Sequence, residues 1–145
     1  FGNLKSDNIN TSNRMRVNQK ERKFLLENEA CRIATSHDDV PHVVPVAYIY
    51  EKEYIIFVTD YGTRKYRNLQ VNRNFSIVVD VYDPSGENKA IIIQGKAVII
   101  ERGKEFIRLY KIFDKKFEWV RKNPWKEGEA PFVRVVAFKK VSWGL

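Results

Sequence analysis

The sequence predicts an all-β protein, a small six-stranded antiparallel barrel with flanking helices. Six runs rich in valine, isoleucine and aromatic residues are separated by polar, glycine or proline segments. Glu51-Lys52-Glu53 is a tight polar connection between two of these runs, which is typical of a hairpin. Helical periodicity interrupts the runs only in places, so we expect the strands to pair antiparallel and to close into a barrel.

Two strands carry irregular positions. Pro45 has no backbone N–H, so we expect it at an edge, a bulge or a break in pairing. Gln94-Gly95 interrupts a long apolar run, and glycine there indicates a bulge or a close backbone approach. The strands are predicted at residues 31–36, 42–50, 54–59, 75–82, 90–100 and 131–143.

Helices are predicted between and before these strands. Residues 15–28 suit an amphipathic helix with Met15, Phe24 and Leu25 toward the body. Residues 103–122 carry aromatic and leucine side chains at helical spacing, and Pro124 ends that helix. A third helix follows Gly62-Thr63, with Thr63 as its N-cap.

Composition indicates one domain with a real core. The chain has 145 residues, of which 43% are hydrophobic, and this excludes a disordered chain. We predict a flexible arm at residues 1–13 and a single domain at 14–145. One cysteine, Cys31, excludes an internal disulfide and favours a reducing, cytoplasmic setting. No apolar run is long enough to span a membrane, so we expect no membrane partner.

Arg64 and Lys65 lie in the first turn of the predicted third helix. Free N–H groups and the helix dipole already make that turn positive, so acidic residues are preferred there. A phosphate would relieve the conflict by binding the N–H groups, the Thr63 hydroxyl and both cations. The alternative is that both are solvated side chains, tolerated at a small cost.

The formal net charge of +8 allows an anionic partner. The basic residues are spread over several segments, and no zinc-finger spacing, RNA-binding aromatic motif or Walker loop is present. An ordinary basic surface explains the charge as well as nucleic-acid binding does. A basic barrel that binds nucleic acid remains our third hypothesis, after the two given below.

No catalytic set is evident, so the catalytic residues are unknown at this stage. Cys31 could pair with His37 or His42, but a free cysteine in a strand is more often buried and inert. The carboxylates are scattered, and the histidines and cysteine lack metal-ligand spacing, so no metal is predicted. Any redox chemistry must then come from a bound cofactor.

Trp119, Trp125 and Trp143 each allow two roles. Trp119 and Trp125 follow a helix and suit packing or an interface. Trp143 could cover an edge of the barrel or stack on a planar ligand.

The segment FVTDYGTRKYRNLQVNRNFSIVVDVY, followed by AIIIQGKAVII, resembles the FMN-binding split-barrel family related to pyridoxamine 5′-phosphate oxidase. The shared pattern is a strand ending at Thr59, then Gly-Thr-Arg-Lys, a helix, a strand, and Gly95-Lys96-Ala97. RIATSHDDVPHVVPVAYIY resembles the first hairpin of that family. The resemblance covers roughly residues 17–145 and implies a Greek-key type split barrel.

The resemblance also implies a site and a partner. The family is typically a homodimer with flavin at the subunit interface, and Trp143 would approach the ring from the partner. A small-molecule substrate is implied. Phosphate contacts are implied from Thr63, Arg64 and Lys65, a ribityl contact from Thr59, and ring contacts from Arg32, Ala34, Thr35, Ser36, Val44 and Val46.

Two departures concern the substrate. A glutamine that contacts flavin in the oxidase falls at Ala90, and Gln94 lies four residues further on. The substrate motif Arg-x-His of the oxidase is not found after Trp143 in this sequence. We therefore do not expect pyridoxamine phosphate to be the substrate.

The cofactor is predicted to be FMN, and the deazaflavin coenzyme is the alternative, because both present a phosphate to the same cations. The first hypothesis is a flavin-dependent oxidoreductase that transfers hydride through the bound ring. The second is a flavin-binding protein without turnover. A homodimer is also favoured by the expected aromatic surface of Trp119, Trp125, Phe132 and Trp143.

Overall fold

The computed structural model describes residues 15–145, so the predicted arm at 1–13 lies outside the described residues. Six antiparallel strands form a closed barrel in the order β1-β2-β3-β6-β5-β4, as the sequence predicted. The strands are β1 (Ala30–His37), β2 (Val40–Glu51), β3 (Tyr54–Val58), β4 (Asn74–Val81), β5 (Lys89–Ile100) and β6 (Phe132–Trp143).

Both irregular strand positions are confirmed. Pro45 lies in the part of β2 that pairs with β1 alone, because β3 pairs only with the segment from Tyr48 to Glu51. The register between β5 and β6 shifts at Gly95, where a side-chain Cβ would come within 2.7 Å of the Val136 carbonyl oxygen. Only glycine allows that close approach.

Four helices flank the barrel within residues 15–145: α1 (Gln19–Glu27), α2 (Arg64–Val71), α3 (Lys104–Lys116) and α4 (Glu118–Lys122). The prediction of one helix over residues 103–122 was wrong, since Phe117 is extended and divides it into α3 and α4. The extended backbone lets the Phe117 ring bury beside Phe113, at 5.6 Å between ring centroids. Burying that aromatic ring compensates for the interrupted helix.

Helix α1 is shorter than predicted and is fixed by polar contacts. Asn18 and Glu21 form a capping box, each accepting from the other residue's backbone N–H. Buried Glu21 also accepts hydrogen bonds from Lys140 and Ser142 of β6. Burial raises the pKa of Glu21, but these hydrogen bonds outweigh it and leave the pKa below its usual range.

The barrel has two apolar clusters. The interior cluster includes Leu25, Ile33, Tyr48, Phe57 and Ile77. A second cluster lies between the barrel and α3–α4, and its members include Phe106, Phe113 and Phe132. Phe132 is therefore buried, and the expectation that it belongs to the aromatic surface was wrong. No helix of the described residues is long and apolar enough to cross a membrane.

Candidate flavin-phosphate site

The first turn of α2 has the geometry that the sequence predicted. Thr63 is its N-cap, and its hydroxyl accepts from the Tyr66 N–H at 3.2 Å. The same hydroxyl donates to the Asp60 carbonyl at 2.9 Å and lies 3.0 Å from the Thr59 hydroxyl. These contacts hold the loop from β3 to α2 against the helix start, and no acidic residue lies in that turn.

Lys65 is the unusual residue of this turn. Only 9% of it is exposed, and its ammonium has no hydrogen bond or ion pair among the described residues. Burial lowers the pKa of Lys65, and the nearby Asp60 charge offsets part of that effect. A cation at the end of a largely buried side chain, with no partner among the described residues, is suited to bind an anion, so this geometry fits an anion against Lys65.

Lys65 opens into a cleft of about 320 Å³ between the start of α2 and the loop that follows α4. We call it the tryptophan cleft. It is lined by Val58, Thr59, Asp60, Lys65, Trp119, Asn123, Trp125, Glu129 and Ala130. Sequence reasoning assigned Trp119 and Trp125 to packing or an interface and missed their place beside Lys65, because a long-range contact forms this cleft.

Arg64 faces another cleft, of about 500 Å³, on the other side of α2. We call it the arginine cleft. Successive helix residues do not face each other, so Arg64 and Lys65 diverge. Arg64 is exposed, whereas the neighbouring Arg67 donates to the Gly62 carbonyl at 2.6 Å. The arginine cleft is lined by His37, Asp38, Val40, Arg64, Arg67, Asn68, Gln70 and Val71.

Two asparagines of α2 and its C-terminus tie the helix to β1. Buried Asn68 donates to the Thr35 hydroxyl at 3.0 Å. Asn72, the C-cap, donates to the Ser36 hydroxyl at 3.2 Å. The structure thus brings the predicted residues Thr35 and Ser36 beside the helix that carries Arg64 and Lys65. Asn68, which makes the buried contact, was not among the predicted site residues.

The remaining predicted ring contacts divide between two faces of the sheet. Arg32, Ala34 and Ser36 alternate with buried residues of β1 and face outward. Thr35 faces inward, and Val44 and Val46 pack against the interior cluster. Their side chains therefore do not share one surface.

Backbone groups provide another feature at β2. Residues 40–47 pair with β1 alone, so one side of that segment has no strand partner in the described part of the chain. Tyr48 N donates to the Glu29 carbonyl, and hydrogen-bonded pairs alternate along antiparallel strands. The free backbone groups therefore belong to Val43, Pro45 and Ala47, which flank the predicted Val44 and Val46.

Trp143 is distant from the predicted phosphate residues within one chain. It pairs with Ala90, and Ala90 pairs with Asp80, six residues along β4 from Asn74. At about 3.3 Å per residue, the separation from the start of β4, close to the end of α2, is roughly 20 Å. Gln94 is exposed and pairs with Ser76 and Lys139.

The predicted Cys–His alternatives do not come together. Cys31 is buried in the interior cluster, and burial raises its thiol pKa to about 12. His37 is exposed beside Asp38, at 3.2 Å between Nε2 and Oδ2. His42 pairs with Thr35, four residues along β2 from the partner of Cys31, and its Nδ1 has no hydrogen bond in residues 15–145.

Comparison with known proteins identifies a family. The family model of pyridoxamine 5′-phosphate oxidase matches residues 17–141. No curated protein matches at a significant level.

Solved structures share the fold at low identity. A conserved hypothetical protein of Mycobacterium tuberculosis is 18% identical with a TM-score of 0.75, covering 91% of this chain and 87% of that one. An FAD-binding protein of Mesorhizobium loti is 19% identical with a TM-score of 0.69, covering 85% and 89%. The FAD-binding protein of Mycobacterium smegmatis is 22% identical with a TM-score of 0.63, covering 87% and 95%.

Proposed function

Because this chain belongs to the pyridoxamine 5′-phosphate oxidase family, we propose that it is a flavin-dependent oxidoreductase that holds its cofactor by the 5′-phosphate. FMN is the smallest flavin that supplies this phosphate. The observation that carries the proposal is Lys65, a largely buried side chain at the start of a capped helix, whose ammonium opens into the tryptophan cleft and has no partner among the described residues. Two structurally similar proteins are named as FAD-binding, which supports a flavin.

The phosphate would lie at the N-terminus of α2. Free backbone N–H groups there attract anions, and charge-assisted hydrogen bonds from Lys65 and Arg64 add to that attraction. Thr63 caps the helix and contacts Thr59, so both hydroxyls are held near the same point. The ribityl chain would then leave past Thr59.

The ring would lie along β1 and β2. Arg32, Ala34 and Ser36 offer one outward surface, with Thr35 and Ser36 held by α2. The unpaired edge of β2 beside Val44 and Val46 offers backbone donors and acceptors for the polar rim of a planar ring. When bound, the flavin would supply hydride-transfer chemistry, and these residues would bind and orient it.

A homodimer would complete the site. Two strands of the barrel carry exposed apolar side chains, namely β2 with Val43 (64% exposed) and β6 with Val141 and Trp143. Exposed apolar patches commonly mark interfaces. A two-fold contact through these strands would bring the partner subunit's Trp143 toward the ring.

The dimer is tested by light scattering. We expect a mass twice the 17.1 kDa of one chain at micromolar concentration. Val43→Lys, which puts a charge on β2, should shift the protein toward monomer and weaken flavin binding together. A monomeric wild-type protein would contradict the dimer and leave the phosphate site to be judged by ligand titration.

Ligand titration tests the phosphate. FMN and riboflavin share the ring and differ in the phosphate, so we expect FMN to bind more tightly. Equal affinity for the two would contradict the proposal. Tighter binding of the deazaflavin coenzyme than of FMN would instead identify the alternative cofactor.

Turnover tests the enzymatic part of the proposal. We expect the flavin-loaded protein to oxidise a reduced nicotinamide in the presence of a small-molecule acceptor. Flavin binding without any turnover would indicate a flavin store. The single buried thiol of Cys31 agrees with the cytoplasm as the site of action.

A further inference from the structure

The proposed function uses only Thr59 and Lys65 of the tryptophan cleft to hold FMN. We propose that it binds the adenylate half of a flavin dinucleotide, so that FAD is the preferred cofactor. The inference rests on the proposed function, because it places the flavin phosphate at the start of α2. It extends that function by assigning the adenylate group to a cleft in which the flavin ring has no predicted contact.

The first support is the divergence of two cations. Lys65 opens into the tryptophan cleft, and Arg64 opens into the arginine cleft on the other side of the helix start. One phosphate cannot lie deep in both clefts. A pyrophosphate that crosses the helix N-terminus offers one phosphate to each cation, and the free N–H groups of the first turn lie between them.

The second support is the aromatic wall of the cleft. Trp119 and Trp125 lie with their planes 6° apart and their centroids 6.3 Å apart, and Trp119 also stacks on Phe117. Trp119 is 39% exposed although it packs against both rings. A parallel indole pair with exposed surface is suited to stacking on a planar base, and base–aromatic stacking tolerates any heterocycle of that size.

The third support is the set of hydrogen-bonding groups around those indoles. The Asn123 side-chain oxygen accepts no hydrogen bond among the described residues, since Asn123 uses its amide to donate to the Trp119 carbonyl. Asp60 and Glu129 also line the cleft. These acceptors suit an exocyclic amino group and ribose hydroxyls. The carboxylates of Asp60 and Glu129 repel further anionic groups, so this part of the cleft favours an uncharged nucleoside.

The volume agrees with this assignment. About 320 Å³ is at the lower end of small-molecule pockets, which suits one nucleoside. It does not accommodate the nucleoside and the flavin ring together. The ring must then lie on the other side of the phosphate, where β1 and β2 carry the predicted ring contacts.

The test compares riboflavin, FMN and FAD on the wild type, Trp119→Ala and the control Tyr82→Ala. Tyr82 is an aromatic residue directly after β4, 76% exposed and outside both clefts. We expect wild-type protein to bind FAD about tenfold or more tightly than FMN, as expected from one stacked base. Trp119→Ala should remove most of the preference for FAD and leave FMN affinity unchanged. Tyr82→Ala should keep the preference for FAD.

Asn123→Leu provides a second variant if Trp119→Ala does not fold. Asn123 is exposed, and its replacement should weaken FAD without changing FMN. Equal affinity of wild-type protein for FAD and FMN would overturn the inference and leave the proposed function standing. Equal affinity for FMN and riboflavin would overturn the proposed function itself. A parallel loss of FMN and FAD affinity in Trp119→Ala would also contradict the adenylate site.

Discussion

The two clefts share helix α2 as a wall, but they hold their cations differently. In the tryptophan cleft, Lys65 is buried beside the fixed hydroxyls of Thr59 and Thr63 and has no partner within residues 15–145. In the arginine cleft, Arg64 is exposed and Arg67 is bound to the Gly62 carbonyl. A buried, unpaired cation contributes to anion affinity, whereas exposed arginines are screened by solvent and mainly steer the ligand.

The largest expected effect is that of Lys65→Ala. Losing a charge-assisted hydrogen bond to phosphate should cost about 1.5–3 kcal/mol of FMN binding free energy. That corresponds to roughly a 10- to 150-fold higher Kd in a fluorescence titration. The matched control is Lys115→Ala, an exposed lysine of α3 with the same charge change. Unchanged FMN affinity in Lys65→Ala would remove the basis of the comparison.

An apolar replacement of Lys65 should not lower the stability of the protein, although it lowers FMN affinity. Replacing Lys65 by the apolar residue of similar length, Lys65→Met, removes the charge from a largely buried side chain that has no partner in the described part of the chain. The free energy of unfolding of the ligand-free protein should stay the same or rise, while FMN affinity falls. Urea unfolding measures the free energy of unfolding. A large loss of stability would mean that Lys65 has a structural partner instead of a ligand role.

The pH dependence of binding follows from the lowered pKa of Lys65. Burial favours the neutral amine, so Lys65 loses its proton below the ordinary value of 10.5. A bound phosphate needs the ammonium, so FMN affinity should fall as pH rises through the lowered pKa. In the ligand-free protein, stability should rise over that interval, because the unfolded chain binds the additional proton.

The same pH titration on Lys65→Arg provides the control. Its guanidinium keeps its charge, so the decline in FMN affinity should move to higher pH or disappear. Identical profiles for Lys65→Arg and wild type would show that another group causes the decline.

Arg64→Ala should have a smaller effect than Lys65→Ala. Arg64 is exposed, and a charge near a helix end in solvent contributes about 0.3–1 kcal/mol. We expect this loss of FMN affinity to shrink further as salt is raised. A loss as large as that of Lys65→Ala, and insensitive to salt, would show that both cations hold the same FMN phosphate.

The smallest effects are expected at Cys31 and His42. Burial keeps the Cys31 thiol protonated, and the Cys31 and His42 side chains are not in contact. Cys31→Ser and His42→Ala should therefore retain most of the rate of flavin reduction at saturating FMN. General acid–base help is worth about 10²–10⁴-fold, so a hundredfold loss in either variant would reveal side-chain chemistry.

Local sequence signals predicted the barrel well. Alternating apolar residues indicated the strands. Gly95 indicated the bulge because it has no Cβ, and Pro45 indicated the unpaired edge because it has no backbone N–H. The Asn18–Glu21 capping box was also readable from its spacing but was missed. The division of the helix at Phe117 was not readable, since burial of one aromatic ring decided it.

The site was predictable only in part. Thr63 as N-cap and the basic first turn follow from four consecutive residues. The tryptophan cleft depends on contacts between segments some sixty residues apart, which no local pattern encodes. The divergence of Arg64 and Lys65 could have been inferred from helix geometry, since consecutive residues point in different directions.

The position of β6 in the barrel has a consequence for how the chain folds. This last strand pairs with both β3 and β5, and Lys140 and Ser142 within it bind Glu21 near the other end of the described chain. Until β6 has been synthesised, two strands keep unpaired edges, which are templates for aggregation. Formation of these distant contacts requires closing long loops, so folding should be slow and should be completed only after β6 is released from the ribosome.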